Sequence, residues 1–171
     1  MKEILLIRRA VRGDREALEQ LVRLYYGKIY NYIFYRVSDP MLSEDLTQDV
    51  FVKLTKTMHS YVPTAPFSAF VYRIARNAVI DHFRTTKQTE ELPLELPAAD
   101  ILGQAEARLD AARILSMLPE EQRECIILHY LQELSFREIS QILGIPIPTA
   151  KSRVQRGLSA CKKLMEEHND G

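Results

Sequence analysis

An all-α chain built as two small helical domains joined by a flexible acidic linker is what this sequence predicts, and three observations carry the prediction. Apolar residues recur at spacings of three and four, while strict apolar–polar alternation is rare. The stretch TEELPLELPAADILG, rich in acids and proline, breaks the periodic pattern near residues 86–105. Each flanking half exceeds the rough minimum of about 60 residues for a self-supporting core. The expected division is therefore 1–86, a linker at 87–105, and 106–171.

The N-terminal elements follow from local chemistry. Leu18, Leu21, Val22, Tyr25, Ile29 and Ile33 form one helical stripe, which SDP at 38–40 ends. A second helix is expected from Ser43 as N-cap, with Glu44 and Asp45 favourably placed in its first turn and Leu46, Val50, Phe51 and Leu54 buried. The turn YVPTAP at 61–66 leads into FSAFVYRIARNAVIDHFR. There Phe67, Phe70 or Val71, Ile74, Ala75 and Ala78 are expected to face the core, with Phe83 also assigned to it. Arg73, Asn77, Asp81 and Arg84 fall on another side.

In the C-terminal half, Pro119 suits the first position of a helix whose apolar residues are Cys125, Ile126, Leu128 and Leu131. Ser135 and Glu138 have the spacing of a capping box, Ile139, Ile142 and Leu143 supply an apolar face, and Gly144 stands where a helix stop needs positive φ. A capped helix, a glycine turn and a second amphipathic helix make a helix-turn-helix. Along the second helix, Ala150, Val154, Leu158, Cys161 and Leu164 share one face. Thr149, Ser152, Gln155, Arg156, Ser159 and Lys163 share the opposite one, flanked by Lys151, Arg153 and Lys162. Groups that reach base edges at the centre, with cations for phosphates at the sides, are what a major-groove reader requires.

The neutral total, 23 basic against 23 acidic residues, conceals a segregation. Residues 71–87 carry Arg73, Arg76, Arg84 and Lys87 against Asp81 alone, and 151–163 carry five cations and no acid. Between them, 88–110 hold six acids against Arg108. Two basic segments flanking an acidic one allow a nucleic-acid partner that the net charge would argue against.

Other functions are excluded by what the pattern lacks. No apolar run approaches the roughly 20 residues that span a bilayer, and the charged first segment is unlike a secretory signal, so no membrane insertion and a cytoplasmic location are expected. Cys125 and Cys161 lack the spacing of a zinc or redox site, and no cofactor or metal is expected. Asp45 and Asp49 have no histidine, nucleophile or metal ligand near them in the pattern, which argues against acid–base catalysis; no enzyme activity is expected.

Four segments in order, SEDLTQDVFVKL (43–54), AFVYRIARNAVIDHFR (69–84), LPEEQRECIILHYLQELSFREISQILGIP (118–146) and TAKSRVQRGL (149–158), resemble the extracytoplasmic-function (ECF) group of bacterial sigma factors. The resemblance runs from about residue 14 to 164. It implies a region 2-like helical bundle at 1–86 and a region 4-like helix-turn-helix domain at 106–171. It also implies core RNA polymerase and promoter DNA as partners, an anti-sigma factor as a further one, and tethering at the membrane through that factor as an alternative location. Asp45, Gln48, Asp49 and Val52, sharing one outward face, would contact the clamp helices of the largest polymerase subunit. Tyr61, Arg73, Arg76, Asn77, Asp81 and Arg84 would melt and recognise the −10 element, where unpaired bases need aromatic faces and cations. Thr149, Lys151, Ser152, Arg153, Gln155, Arg156, Ser159 and Lys163 would read the −35 element. The acidic linker would pass near the polymerase active centre.

Three departures from the family pattern stand out: Phe70 in place of the usual tryptophan, a loop YVPTAPF without glycine or cations, and Pro148 in place of a frequent glycine. As the second helical residue, Pro148 gives up an N–H that has no intrahelical partner. The alternative reading, an autonomous helix-turn-helix regulator with an N-terminal sensing domain, leaves SEDLTQDVF and VYRIARNAVIDHFR without a reason. A recombinase or nuclease would need a nucleophile or metal-binding constellation that the pattern does not contain.

Overall fold

Apolar stripes at helical spacing become eight α-helices in a computed structural model that describes residues 2–86 and 103–171, with no strand among them. The linker expected at 87–105 lies mostly outside the described residues, and α5 begins at Gly103, within its expected span.

The N-terminal unit comprises α1 (Lys2–Val11), α2 (Arg15–Val37), α3 (Pro40–Thr57) and α4 (Phe67–Thr86). Asp14 caps α2 through a bond accepted from the Ala17 N–H. The stripe predicted on α2 is the core: Leu21, Ile29 and Ile33 are fully buried and Tyr25 nearly so. Helix α3 starts four residues earlier than expected. Its N-cap is Asp39, whose carboxylate accepts from the N–H groups of Met41 and Leu42, and Pro40 supplies a preset φ at the first position. Ser43, the expected cap, is instead buried inside the helix and donates its hydroxyl to the Asp39 carbonyl at 2.6 Å. Leu46, Val50, Phe51 and Leu54 are buried as expected.

On α4 the buried set is Phe67, Ala69, Val71, Tyr72, Ile74, Ala75 and Val79. Phe70 is half-buried against Tyr61 and Phe67, and it is Val71 that enters the core. Phe83 departs from the expectation. It is exposed, although α3 still lies beside α4 at Asp81, His82 and Thr85, so its ring is on the side of α4 away from that contact.

The C-terminal unit comprises α5 (Gly103–Ser116), α6 (Glu120–Ile126), α7 (Phe136–Leu143) and α8 (Ile147–Asn169). Pro119 is the cap of α6 rather than its first residue, with extended backbone at φ −53° and ψ 141°. After Ile126 the chain widens into a π-turn at Ile127–Leu131. A turn closed from i to i+5 holds an extra residue, which advances the helical phase. Ile127 is consequently fully buried, while Leu131, expected in the core, is exposed.

The capping box of α7 forms as predicted: the Glu138 N–H donates to the Ser135 hydroxyl at 3.1 Å, and the Ser135 N–H donates to the Glu138 carboxylate at 2.8 Å. Gly144 ends the helix at φ 67°, where a side chain would be strained. Helix α8 then leaves Pro146 as its cap, and Pro148 is its second residue.

One packing feature was not visible in the sequence pattern. Gly157 is buried in α8 against α6, and a Cβ there would lie 2.5 Å from Ile126 Cδ1. The missing side chain lets the two helices approach. The two units also share a continuous apolar cluster, with α7 packed on α4 and α2 on both α5 and the π-turn.

Candidate nucleic-acid and polymerase interfaces

Helix α8 is anchored through Ala150, Val154 and Gly157, all buried, with Leu158, Cys161 and Leu164 half-buried along the same side. This anchoring turns Lys151, Gln155, Arg156, Ser159 and Lys163 to solvent, and leaves Thr149 and Ser152 half-exposed at its start. Arg156 has no ion pair among the described residues. Lys151 lies over the Phe136 ring at 5.8 Å, which fixes its stem beside the helix turn. Arg153 behaves differently. It is half-buried, pairs with Glu121 at 3.6 Å, and stands beside the Cys125 thiol, which burial pushes up to about 11. Its cation therefore faces α6 rather than the face that holds Arg156.

The α3 face is simpler. Asp45, Gln48, Asp49 and Val52 are all exposed, opposite the buried Leu46, Val50 and Leu54. Val52, a β-branched apolar residue with 53% exposure, gives the acidic strip an apolar C-terminal end.

The candidates on and before α4 divide into three groups. Asn77, Asp81 and Arg84 are exposed, and Asp81 and Arg84 form only a loose surface pair at 3.7 Å. Such a pair contributes little and is easily exchanged for a nucleic-acid contact. Tyr61 is half-buried, edge-on to Phe67 with ring centroids 5.4 Å apart, and its hydroxyl donates to the Ala65 carbonyl at 3.0 Å. The ring that sequence alone assigned to unpaired bases is thus held in an aromatic cluster of its own loop.

Arg73 and Arg76 are engaged by the C-terminal unit. Arg73 donates through Nε, at 2.8 Å, and through Nη2 to the Gln141 carbonyl in the last turn of α7. A cation there satisfies an orphan carbonyl and complements the negative end of the helix. Arg76 donates through Nε to Glu124 of α6 at 2.7 Å. The same Glu124 oxygen accepts from Arg36 Nη1 at 3.1 Å and from the Tyr32 hydroxyl at 3.2 Å, both on α2. Arg36 Nη2 also donates to the exposed Glu120 at 2.8 Å.

Glu124 and Arg36 are each only 5% exposed, so this is a buried ionic network between the two units. Burial raises the Tyr32 hydroxyl far above the usual phenol range, which keeps it a donor. Ser68 and Tyr72 extend the seam, donating to Glu138 at 2.8 Å and to Gln132 at 2.7 Å. Sequence reasoning missed Tyr32, Arg36 and Glu124. Their only signal was a charge interrupting an apolar stripe, and that is common on solvated faces.

Two helical units, the second presenting a basic helix from a capped helix-turn-helix, define an all-helical protein of the helix-turn-helix class. Residues 21–89 match the family model for Sigma-70 region 2, and residues 108–161 that for Sigma-70, region 4. The chain is 36% identical over 153 residues to the RNA polymerase sigma factor SigZ of Bacillus subtilis, covering 87% of each. It is 30% identical over 178 residues to the ECF RNA polymerase sigma factor SigW of the same organism, covering 94% of this chain and 95% of SigW. Among solved structures, CnrH in complex with the cytosolic domain of CnrY matches with a TM-score of 0.79 at 23% identity, covering 98% of this chain and 99% of that one. The sigma factor RpoE of Bartonella quintana, solved with the anti-sigma factor NepR, matches at 0.71 and 24%, covering 86% and 96%. At these identities the structures attest the fold.

The chain belongs to the ECF group of the sigma-70 family. It directs promoter-specific initiation of transcription by RNA polymerase, and the region 2 match removes the reason for reading it as an autonomous regulator.

Proposed function

We propose that the chain divides its task between residues 1–86 and residues 106–171, joined through 87–105. The first part would bind core RNA polymerase through Asp45, Gln48, Asp49 and Val52 and hold −10 single strand along α4. The second would read −35 duplex through α8. The observation that carries this reading is the open basic face of α8, presented by a capped α7 and a glycine turn. Within the recognition set, Gln155 and Arg156 are suited to base edges, whereas Lys151 and Lys163 are suited to phosphates. Arg153, paired with Glu121, is a positioning residue that holds α8 on α6.

The protein acts by lending promoter choice and performs no chemistry of its own. Among the described residues no helix is long and apolar enough to cross a membrane, and no cluster of side chains could hold a metal ion. It works in the cytoplasm, where its polymerase is. The sigma factor RpoE of Bartonella quintana is solved with the anti-sigma factor NepR, and a partner of that class is part of the proposed reading. In-vitro transcription tests the reading: purified chain added to core polymerase on genomic DNA of its host should give transcripts with discrete 5′ ends. Random starts identical to those of core alone would refute it.

A further inference from the structure

The opening turn of α8 is apolar where the rest of its outward face is polar and cationic. Pro146, Ile147 and Pro148 are consecutive and all exposed, Ile147 by 39%. Three apolar residues in a row at the surface contribute nothing to a core, so such a run calls for a function. Its placement narrows the choice. At about 100° per residue, Pro148 falls with Ser152, Gln155 and Ser159 in one sector about 60° wide, opposite the row of Ala150, Val154 and Gly157 that anchors the helix. Pro148 therefore leads the row that carries Gln155.

The backbone of this turn is as poor in hydrogen-bond donors as its side chains. Pro146 and Pro148 have no N–H, and the first bond of the helix runs from the Ala150 N–H to the Pro146 carbonyl at 3.1 Å. Only Ile147 and Thr149 are left with amides to offer an acceptor. The turn thus touches a partner chiefly by apolar contact. The charges around it say which partner: no acid stands between Ile147 and Lys163, Arg156 is exposed, and Lys151, one turn beyond Ile147, is held over the Phe136 ring at 5.8 Å. Apolar carbon beside positive charge, with no acid, fits the major groove, where phosphates line the edges and the exposed apolar group is the 5-methyl of thymine.

We propose that Pro148 is a specificity-determining residue, which selects thymine through its 5-methyl group at the position where α8 enters the groove. The inference rests on the reading of α8 as the −35 helix, and adds the base that its first turn selects. The first residues of a recognition helix are those that reach base edges. Cytosine there offers no methyl, and guanine would have its O6 and N7 acceptors stripped of water by a ring with nothing to donate. Carbon contact and the missing donor act in the same direction.

Deoxyuridine tests this directly, since it keeps the pairing of thymine and lacks only the methyl. Holoenzyme of the chain with core polymerase is titrated on a promoter taken from its own mapped transcript starts, each thymine of the −35 element, on either strand, being replaced singly. Replacement at one or two adjacent positions should weaken wild-type binding about fourfold, the equivalent of about 0.8 kcal/mol for one buried methylene. Pro148→Gly, which removes all side-chain carbon, should bind the thymine and deoxyuridine promoters alike. Each protein is its own reference, so a general loss of affinity or stability in the variant cancels from the ratio. Wild-type holoenzyme indifferent to every deoxyuridine, or Pro148→Gly with the wild-type ratio, would overturn the proposal. So would a Pro148→Gly chain that binds core polymerase more weakly and keeps the ratio, which would assign the apolar turn to a protein contact. A scrambled −35 element separates the two levels. If wild-type transcription survives scrambling, the −35 reading fails and the inference with it; if transcription is lost but no deoxyuridine has an effect, only the inference fails.

Discussion

The two basic helices for which we propose DNA contacts, α4 and α8, are in opposite conditions. Helix α8 holds its basic face to solvent, with Arg156 unpaired among the described residues, whereas the first half of α4 is covered, with Arg73 and Arg76 bonded to the C-terminal unit. Both are basic and amphipathic, and in sequence they look alike. The difference comes from α7, whose sides serve two purposes: one supports α8 and the other lies on α4. A face is available only if nothing else in the chain has a complementary surface for it, and α4 has one in Glu124 and Gln141.

The sharpest way to break that contrast is to weaken the shared support. Ile139 is fully buried beneath α7, and Ile139→Ala should cost about 3 kcal/mol by transfer and cavity effects, read as a lower Tm in thermal unfolding. If α7 is truly common to both, the same variant will lose −35 binding and relax the seam on α4 together. Arg156→Ala acts on the open face alone. It should reduce transcription from a −35-dependent promoter by about ten- to a hundredfold, the usual value of one good base contact, with core binding unchanged in a pull-down.

The third surface, on α3, is open to solvent, so Asp49→Lys should lower affinity for core polymerase on the order of tenfold, measured by titration of labelled core. Ser135→Ala removes one half of the α7 capping box and should destabilise by about 1 kcal/mol in denaturant unfolding. The smallest effect sharpens how α8 is anchored. Cys125 is fully buried and its thiol is pushed up to about 11 by desolvation, so it stays protonated at pH 8 and should alkylate far more slowly than the half-buried Cys161. Equal rates would mean that α8 separates readily from α6.

Much of the fold was legible because its signals are local. The α2 stripe, the buried face of α3, the capping box at Ser135 and Glu138, and the glycine stop at 144 depend on residues within one or two turns of each other. The misplacements were local too, where two plausible signals competed. Asp39 before Pro40 outcompeted Ser43 as a cap because it could reach two free N–H groups. Leu131 and Ile127 exchanged burial because a π-turn shifts phase, and nothing in an apolar run marks that shift. Tyr61 looked like a free aromatic in a turn, yet Phe67 and Phe70, six and nine residues on, take its ring.

By itself the sequence determined the helices, their caps, the helix-turn-helix and the outward faces of α3 and α8, since each follows from the 3.6-residue period and from hydrogen bonds made within a few residues. Only the tertiary structure decided which charges are available. Arg36 and Glu124 are 88 positions apart and Arg76 and Glu124 are 48 apart, and each would be an ordinary solvated side chain if the two units did not meet. Charge pairing over such separations depends on the burial of both partners at one seam, and burial is a property of the packed chain rather than of any segment of it.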